Sequence, residues 1–346
     1  MLYIHHTSCI SPQKTFVDAD VSELSLSSGN MLRALEPLYE GIPPGQLRRM
    51  GKAVRLGVGA ALPLLKMNTE LSGIILGTAN GGMEDCIKFL NQIIDYEEGT
   101  LTPTNFVQST TNAIASQIAF MSKNKGYNIT HVHRGLSFEN ALQDAMMHSA
   151  EHPDASYLLG GVDEISDYNF NIDFLIGCYK KGDADNRILY DSVSEGTIAG
   201  EGAAMFIVNG LEKGSLVAVK GLATYHNIKE AELSTVFLEF LSENNLSPND
   251  IDMYISGENG DSRYDKFYSQ VELNLNPDTT IVRYKHASGE FPSASAFSLW
   301  LACYLSGDKI VPAHMLKRKG DRKEFKNILI YNCYQGVQHA FVLVSL

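Results

Sequence analysis

The sequence lacks the marks of a nucleic-acid or membrane protein. Its longest basic run is Lys317-Arg318-Lys319, and the formal net charge is −12 over 346 residues. Neutralising phosphates needs a concentrated basic face, so nucleic acid is not an expected partner. A local basic patch for an acidic carrier protein remains compatible with that sum. No apolar run approaches the ~20 residues of a membrane-spanning helix. The opening Met1-Leu2-Tyr3-Ile4-His5-His6 shows neither the basic start nor the apolar stretch of a secretory signal. Cysteine is scarce: Cys9, Cys86, Cys178, Cys303 and Cys333 are odd in number, far apart and form no CxxC pair. That pattern suits reduced, mostly buried thiols and speaks against a disulfide framework. Low-complexity tracts and short-period repeats are missing as well. The expectation is a soluble, cytoplasmic protein with no membrane insertion.

What is present is ordinary globular material, 44% hydrophobic and 20% charged, in a chain long enough to bury a sizeable core. Strand-like runs fall at 71–76, 157–159, 204–208, 216–219, 253–255, 328–331 and 340–344. Helix-like stretches lie between them at 48–65, 112–121, 138–147, 236–243 and 294–305, the last opened by Pro292-Ser293 and closed by Ser306-Gly307. Such alternation predicts an α/β architecture with buried sheets. Leu211-Glu212-Lys213-Gly214 separates two strand-like runs and marks the best internal boundary. Two α/β halves, 1–212 and 213–346, are therefore expected.

Several spaced segments resemble β-ketoacyl synthases of fatty-acid and polyketide assembly. They are Ile10-Ser11-Pro12; Arg48-Arg49-Met50 with Arg55-Leu56, similar to that family's Arg-Arg-Met helix; and Gly77-Thr78 with Gly81-Gly82. Further along come Thr102 to Val107 with Asn112-Ala113 and Gln117-Ile118-Ala119, then Leu159 to Glu164, and Asp191 to Gly196 followed by Gly200-Glu201-Gly202-Ala203-Ala204. Order and spacing over more than half the chain carry the likeness. It implies a thiolase-like α-β-α-β-α sandwich of two similar halves.

The same resemblance implies a catalytic set that this sequence lacks. A condensing ketosynthase carries its acyl chain on a Cys thiolate at a strand-to-helix turn. Two His residues serve decarboxylation and stabilise the developing negative charge. Ungapped counting from Asn112 places Gly135 where the Cys belongs. Gly257, or its neighbour Glu258, stands at the first His position, and Glu290 follows Gly289 at the second. The segment Asn332-Cys333-Tyr334-Gln335-Gly336-Val337 replaces the family's Gly-rich Phe loop. Lys285 alone is retained. The resemblance then points to a non-catalytic homologue similar to chain-length-factor subunits of aryl-polyene and type II polyketide systems. Such a subunit pairs with an active β-ketoacyl synthase as a heterodimer, meets an acyl carrier protein, and lines a tunnel at the interface. Phe106, Gln108, Thr110, Asn112, His133 and Arg134 are the expected tunnel and interface residues. No metal or organic cofactor is expected.

Other readings compete for the same residues. His131 and His133 share one side of a strand and could bind a metal, but no third ligand is near in sequence. The alternative is that these imidazoles and Arg134 fill the space around Gly135. Ser137, with His133 as base and Glu290 as orienting acid, would make a relocated nucleophile for an acyltransferase or hydrolase. Lys285 and Glu290 are otherwise an internal ion pair. Cys333 reads as a packing thiol, and Phe291, Phe297 and Trp300 as core. A homodimeric acyl-binding or scaffold protein is the third possibility.

Overall fold

Backbone pairing in the computed structural model, which describes residues 1–67, 70–307, 309–322 and 324–346, runs through both halves of the chain. The strands are β1 (Leu2–Ile10), β2 (Met31–Leu32), β3 (Gly73–Gly77), β4 (Tyr127–His131), β5 (Tyr157–Asp163), β6 (Ala199–Gly200), β7 (Gly202–Asn209), β8 (Val217–His226), β9 (Met253–Ser256), β10 (Thr280–Arg283), β11 (Leu316–Arg318), β12 (Asn327–Tyr334) and β13 (Gln338–Ser345). The helices are α1 (Pro44–Leu47), α2 (Lys52–Leu65), α3 (Met83–Asp95), α4 (Pro103–Gln108), α5 (Ala113–Ser122), α6 (Ser137–Glu151), α7 (Asp167–Leu175), α8 (Glu230–Glu243), α9 (Asp265–Glu272), α10 (Lys285–Ser288) and α11 (Ser295–Leu305). Among the described residues, no helix is long and apolar enough to cross a membrane.

The main sheet runs β11-β10-β9-β12-β13-β8-β1-β7-β5-β3-β4. Leaving out the short β11, each half contributes five strands in the same relative order, and the halves join where β1 pairs with β8 (Leu2 opposite Val219, Ile4 opposite Val217). Alternation along the strands sorts their side chains into layers. In β5 and β7, Leu158, Val162, Met205 and Ile207 pack with α2 and α5, while Tyr157, Leu159, Phe206 and Val208 face the middle. In β9 and β12, Tyr254, Leu329 and Tyr331 pack with α8 and α9, and Ile255, Ile328 and Ile330 face the middle. The middle layer is α6 and α11, and α11 is buried along almost its whole length. Each fully buried Leu or Phe there contributes roughly 1.5–3 kcal/mol. The result is helices, sheet, helices, sheet, helices.

One expected element moves. Arg48-Arg49-Met50 is a turn between α1 and α2, not part of the helix. Gly51 takes an extended ψ of 163°, which interrupts the helical path. A Cβ there would lie 2.1 Å from Asp85 Oδ2, so a larger residue would need the Asp85 carboxylate to turn aside.

Candidate functional site

The turn that carries Gly135 runs from β4 into α6, and a hairpin from the other half closes over it. Tyr334 and Gln338 end β12 and begin β13 as a cross-strand pair around a turn in which Gln335 (φ 52°) and Gly336 (φ 68°) are left-handed. Paired residues of this kind point to the same side of the sheet. A Cβ on Gly135 would sit 2.2 Å from Tyr334 Cβ and 2.3 Å from Cγ, too near the ring's root for rotation to relieve. The Gly135 N–H donates to Gln338 Oε1 at 2.9 Å, and Gln338 Nε2 donates to the His133 carbonyl at 3.1 Å. An acyl-transfer centre keeps such an N–H free for a developing oxyanion; here a buried carboxamide occupies it.

His133 and Arg134 do not fill the space at Gly135, as the sequence suggested; both are exposed, and Tyr334 takes that volume. The His133 ring accepts from the Asn140 amide at 3.0 Å, and Arg134 takes a left-handed φ of 49°. Ser137 is spent on the turn: its Oγ accepts from His133 N–H at 2.8 Å and donates to the Arg134 carbonyl at 2.7 Å. Neither the His133 imidazole nor Glu290 is hydrogen-bonded to it, so the relocated triad is not assembled. His131 leaves β4 toward Asp144, at 3.0 Å, away from His133's Asn140 contact. Among the described residues, no group of three or more metal-ligating side chains is disposed to hold an ion.

Lys285 and Glu290 form the expected ion pair at 2.5 Å, both buried. The second Glu290 oxygen accepts from Asn259 Nδ2 at 2.8 Å. Gly257 ends β9 with the Asn332 amide 2.6 Å from where its Cβ would be, while Glu258 turns outward to Lys317 at 2.8 Å. From that segment Asn259 reaches the site, a residue the sequence reading passed over. The backbone brings Glu290 into place by close approach of Gly289 (φ 72°) to Gly200: a Cβ on Gly289 would lie 2.4 Å from Gly200 Cα. Asp173, Tyr179, Arg263, Glu290, Tyr334 and Gln335 line the remaining hollow, whose volume is about 20 Å³, space for a single water. Burial pushes the thiols up, Cys178 beside this hollow to about 11 and Cys333 behind it to about 12. Neither is poised as a thiolate.

The motif carboxylates are structural. Asp163 accepts from the Thr78 hydroxyl and the Ala79 and Asn80 amides with one oxygen, and from the Ser293 amide and hydroxyl with the other. Burial still raises its carboxyl above the usual range. Glu201 accepts from Lys52 at 2.5 Å and from the Ala34 and Ile165 amides.

A second region is open. β4 lies at the sheet's end with only β3 beside it. In the same half of the chain, α3 buries only Asp85 fully and exposes Met83, Leu90 and Ile94, residues that fall along one side of the helix. Phe106 and Val107 of α4 are 60% and 63% exposed, with the Phe106 ring 5.3 Å from that of Phe89. Phe120 of α5 is 72% exposed. Thr110 and Asn112 are exposed too, and Asn112 ties α5 to the edge strand by accepting from Thr130 at 2.8 Å. Gln108 departs from this set: it is turned inward and buried, its Oε1 without a partner.

Residues 29–171 match the family model of the β-ketoacyl synthase N-terminal domain. No curated protein matches by sequence. Among solved structures, the ishigamide ketosynthase/chain length factor is similar at a TM-score of 0.78 and 17% identity, covering 100% of this chain and 99% of that one. The ketosynthase ApeO in complex with its chain length factor ApeC, from Xenorhabdus doucetiae, gives 0.78 and 14%, covering 100% and 98%. The AntDE:AntF complex, a type II polyketide acyl-carrier protein with its ketosynthase, gives 0.80 and 12%, covering 99% and 98%. The fold is thus the thiolase-like fold of ketosynthases.

Proposed function

We propose that this ketosynthase-fold chain is a non-catalytic subunit that pairs with an active β-ketoacyl synthase and sets product length in polyketide, aryl-polyene or fatty-acid-like biosynthesis. The observation that carries the reading is the closed turn at Gly135. The position has no nucleophile and no room for a side chain beneath Tyr334, and its N–H is bound to Gln338. The open face supports the second half of the reading. An unpaired edge strand offers backbone groups to a partner's strand, and the exposed Phe106, Val107 and Thr110 flank it. In a heterodimer these side chains would border the partner's acyl tunnel and limit its depth. An open groove of about 480 Å³ carries Arg33, Arg48, Arg49, Lys52, Arg55 and Lys88 beside Glu84, Asp85, Glu164 and Asp167; Arg33, Lys52, Arg55 and Lys88 are ion-paired within the chain, so Arg48 and Arg49 are the groups that would meet an acidic carrier protein.

The test is affinity capture from native extract with mass spectrometry of what co-elutes, followed by reconstitution with acyl- and malonyl-carrier proteins. A near-stoichiometric ketosynthase retaining its Cys and both His residues is expected, with elongation only when both chains are present. Turnover by this chain alone overturns the proposal. Recovery of only a symmetric dimer would favour the acyl-binding or scaffold reading.

A further inference from the structure

Away from Gly135, a line of hydrogen bonds crosses between the two halves of the chain. In the first half, Tyr190 belongs to the turn 186–191 and Val21 to the irregular stretch between β1 and β2. In the second, His286 lies in α10 and His314 in the turn 313–315. His286 Nδ1 is 3.2 Å from the Tyr190 hydroxyl, and its Nε2 is 2.8 Å from His314 Nδ1. His314 Nε2 in turn is 2.8 Å from the Val21 carbonyl oxygen. The Tyr190 oxygen also accepts from the His286 backbone N–H at 3.1 Å. His286 is 2% exposed and Val21 1%.

The carbonyl at one end fixes the protons along the line. It only accepts, so His314 carries its hydrogen on Nε2. A neutral His314 is then bare at Nδ1 and accepts from His286 Nε2–H, which leaves His286 Nδ1 to accept from the Tyr190 O–H. The line so satisfied has no place for another proton. One added to His314 sets two N–H groups against each other at 2.8 Å unless His286 moves its own hydrogen to Nδ1. That shift, or a proton placed directly on His286 Nδ1, turns the Tyr190 hydroxyl away from its acceptor.

The surroundings offer such a cation no counter-charge. Arg283, at the end of β10, holds its guanidinium 3.8 Å over the Tyr190 ring, Lys285 of α10 is paired with Glu290, and Glu258 is held by Lys317. Asp20 and Glu23 beside Val21 are exposed, and Asp20 is bonded to Ser22. Among the described residues no carboxylate is paired with either ring; the paired imidazoles are His131 and His148. Burial, with His314 and the Arg283 charge, lowers His286 to about 3.

We propose that His286 and His314, as a neutral pair of fixed tautomers, form an acid-released latch that fastens the Val21–Ser27 strap of the first half to α10 of the second. Asn186 secures the far end of the same strap: its amide donates to the Ser25 and His286 carbonyls, and its oxygen accepts from the Ser27 N–H. Opening draws Val21 out of the core it shares with α11. His286 is lowered in the folded state, so the latch is fully closed above about pH 6.5 and weakens as pH falls through that value toward 3. The inference is independent of which partner the chain binds.

Nitrogen-15 NMR of the imidazole rings and amide hydrogen exchange test it on the intact protein. Near neutral pH both rings should carry hydrogen on Nε2 and be bare at Nδ1. Protection of the Ser25 and Ser27 N–H groups, corrected for intrinsic exchange, should fall by up to about tenfold for each pH unit below about 6.5, ahead of the amides of β1 and β7. His314→Ala should lower that protection at every pH and remove the dependence. His314→Gln, which keeps a donor for the Val21 carbonyl but takes no proton, should keep the strap protected in acid. Should neither variant fold, the wild-type rings decide: hydrogen on Nδ1 of either ring at neutral pH overturns the latch. Strap protection that holds in acid, or that is lost only together with β1 and β7, overturns it too, as does a His314→Gln variant that opens like wild type.

Discussion

The turn at Gly135 and the face of α3, α4 and β4 lie in the same half of the chain and have opposite character. At the turn nearly every group is engaged: Tyr334 fills the volume, Gln338 takes the backbone N–H, and Glu290 neutralises Lys285. On the face, an edge strand and an apolar helical stripe have no partner among the described residues. Hydrophobic side chains such as Phe106 and Ile94 gain nothing from solvent, and their grouping is what the proposed pairing with a second subunit would cover. The difference teaches that the interior around Gly135 is closed by contacts between distant segments, while this face leaves apolar side chains and backbone groups in solvent.

The comparison predicts unequal responses to mutation. Lys285→Met leaves Glu290 charged and buried and should cost about 3–5 kcal/mol; a melting temperature unchanged from wild type would show that the interior is not closed by this pair. Tyr334→Ala, removing a large buried ring, should cost a similar ~3–5 kcal/mol. Gly135→Ala should cost about 1–3 kcal/mol through overpacking, and Tyr334→Ala in the same molecule should cancel part of that cost. Strict additivity in the double mutant, read by denaturant titration, would break the contact.

Glu139 sharpens the comparison by pH. Its carboxyl, near 4.5 when unfolded and pushed up to about 7 by burial, binds its proton more tightly in the folded state. The folded protein therefore loses stability as pH rises from about 4.5 to about 7, then holds level. Glu139→Gln should remove that part of the slope, on the order of 3 kcal/mol above pH 7 at most. Glu164, also raised to about 7 by burial, contributes to the same window and serves as the control. The smallest effect on the isolated chain belongs to Phe106→Asp, expected to stay within about 0.5 kcal/mol. Co-elution with the partner should nonetheless be lost, and retention with unchanged product length would remove Phe106 from the interface.

Much of the fold was legible in the sequence because its layers obey simple periods. The continuous apolar runs Ala204–Val208 and Ile328–Tyr331 mark strands buried on both faces, and that of α11 a helix buried nearly all round. Elements without that signal were missed: β4 is only half-buried, α7 buries nothing fully, and α3 carries an apolar stripe that the chain does not cover. At the site, the Lys285–Glu290 pair was legible because its members are five residues apart. Tyr334, Gln338 and Asn259 were not assigned roles, since each acts on a group far away in sequence.

By itself, then, the sequence determined the layered α/β architecture, a property of local order and spacing. Only the tertiary structure decided that Gly135 is covered rather than merely bare, that Gln108 turns inward while Phe106 turns out, and that Glu139 is buried. Those outcomes depend on where the β12–β13 hairpin and α10 meet α6, and contacts between segments so distant along the chain are fixed by packing, not by pattern.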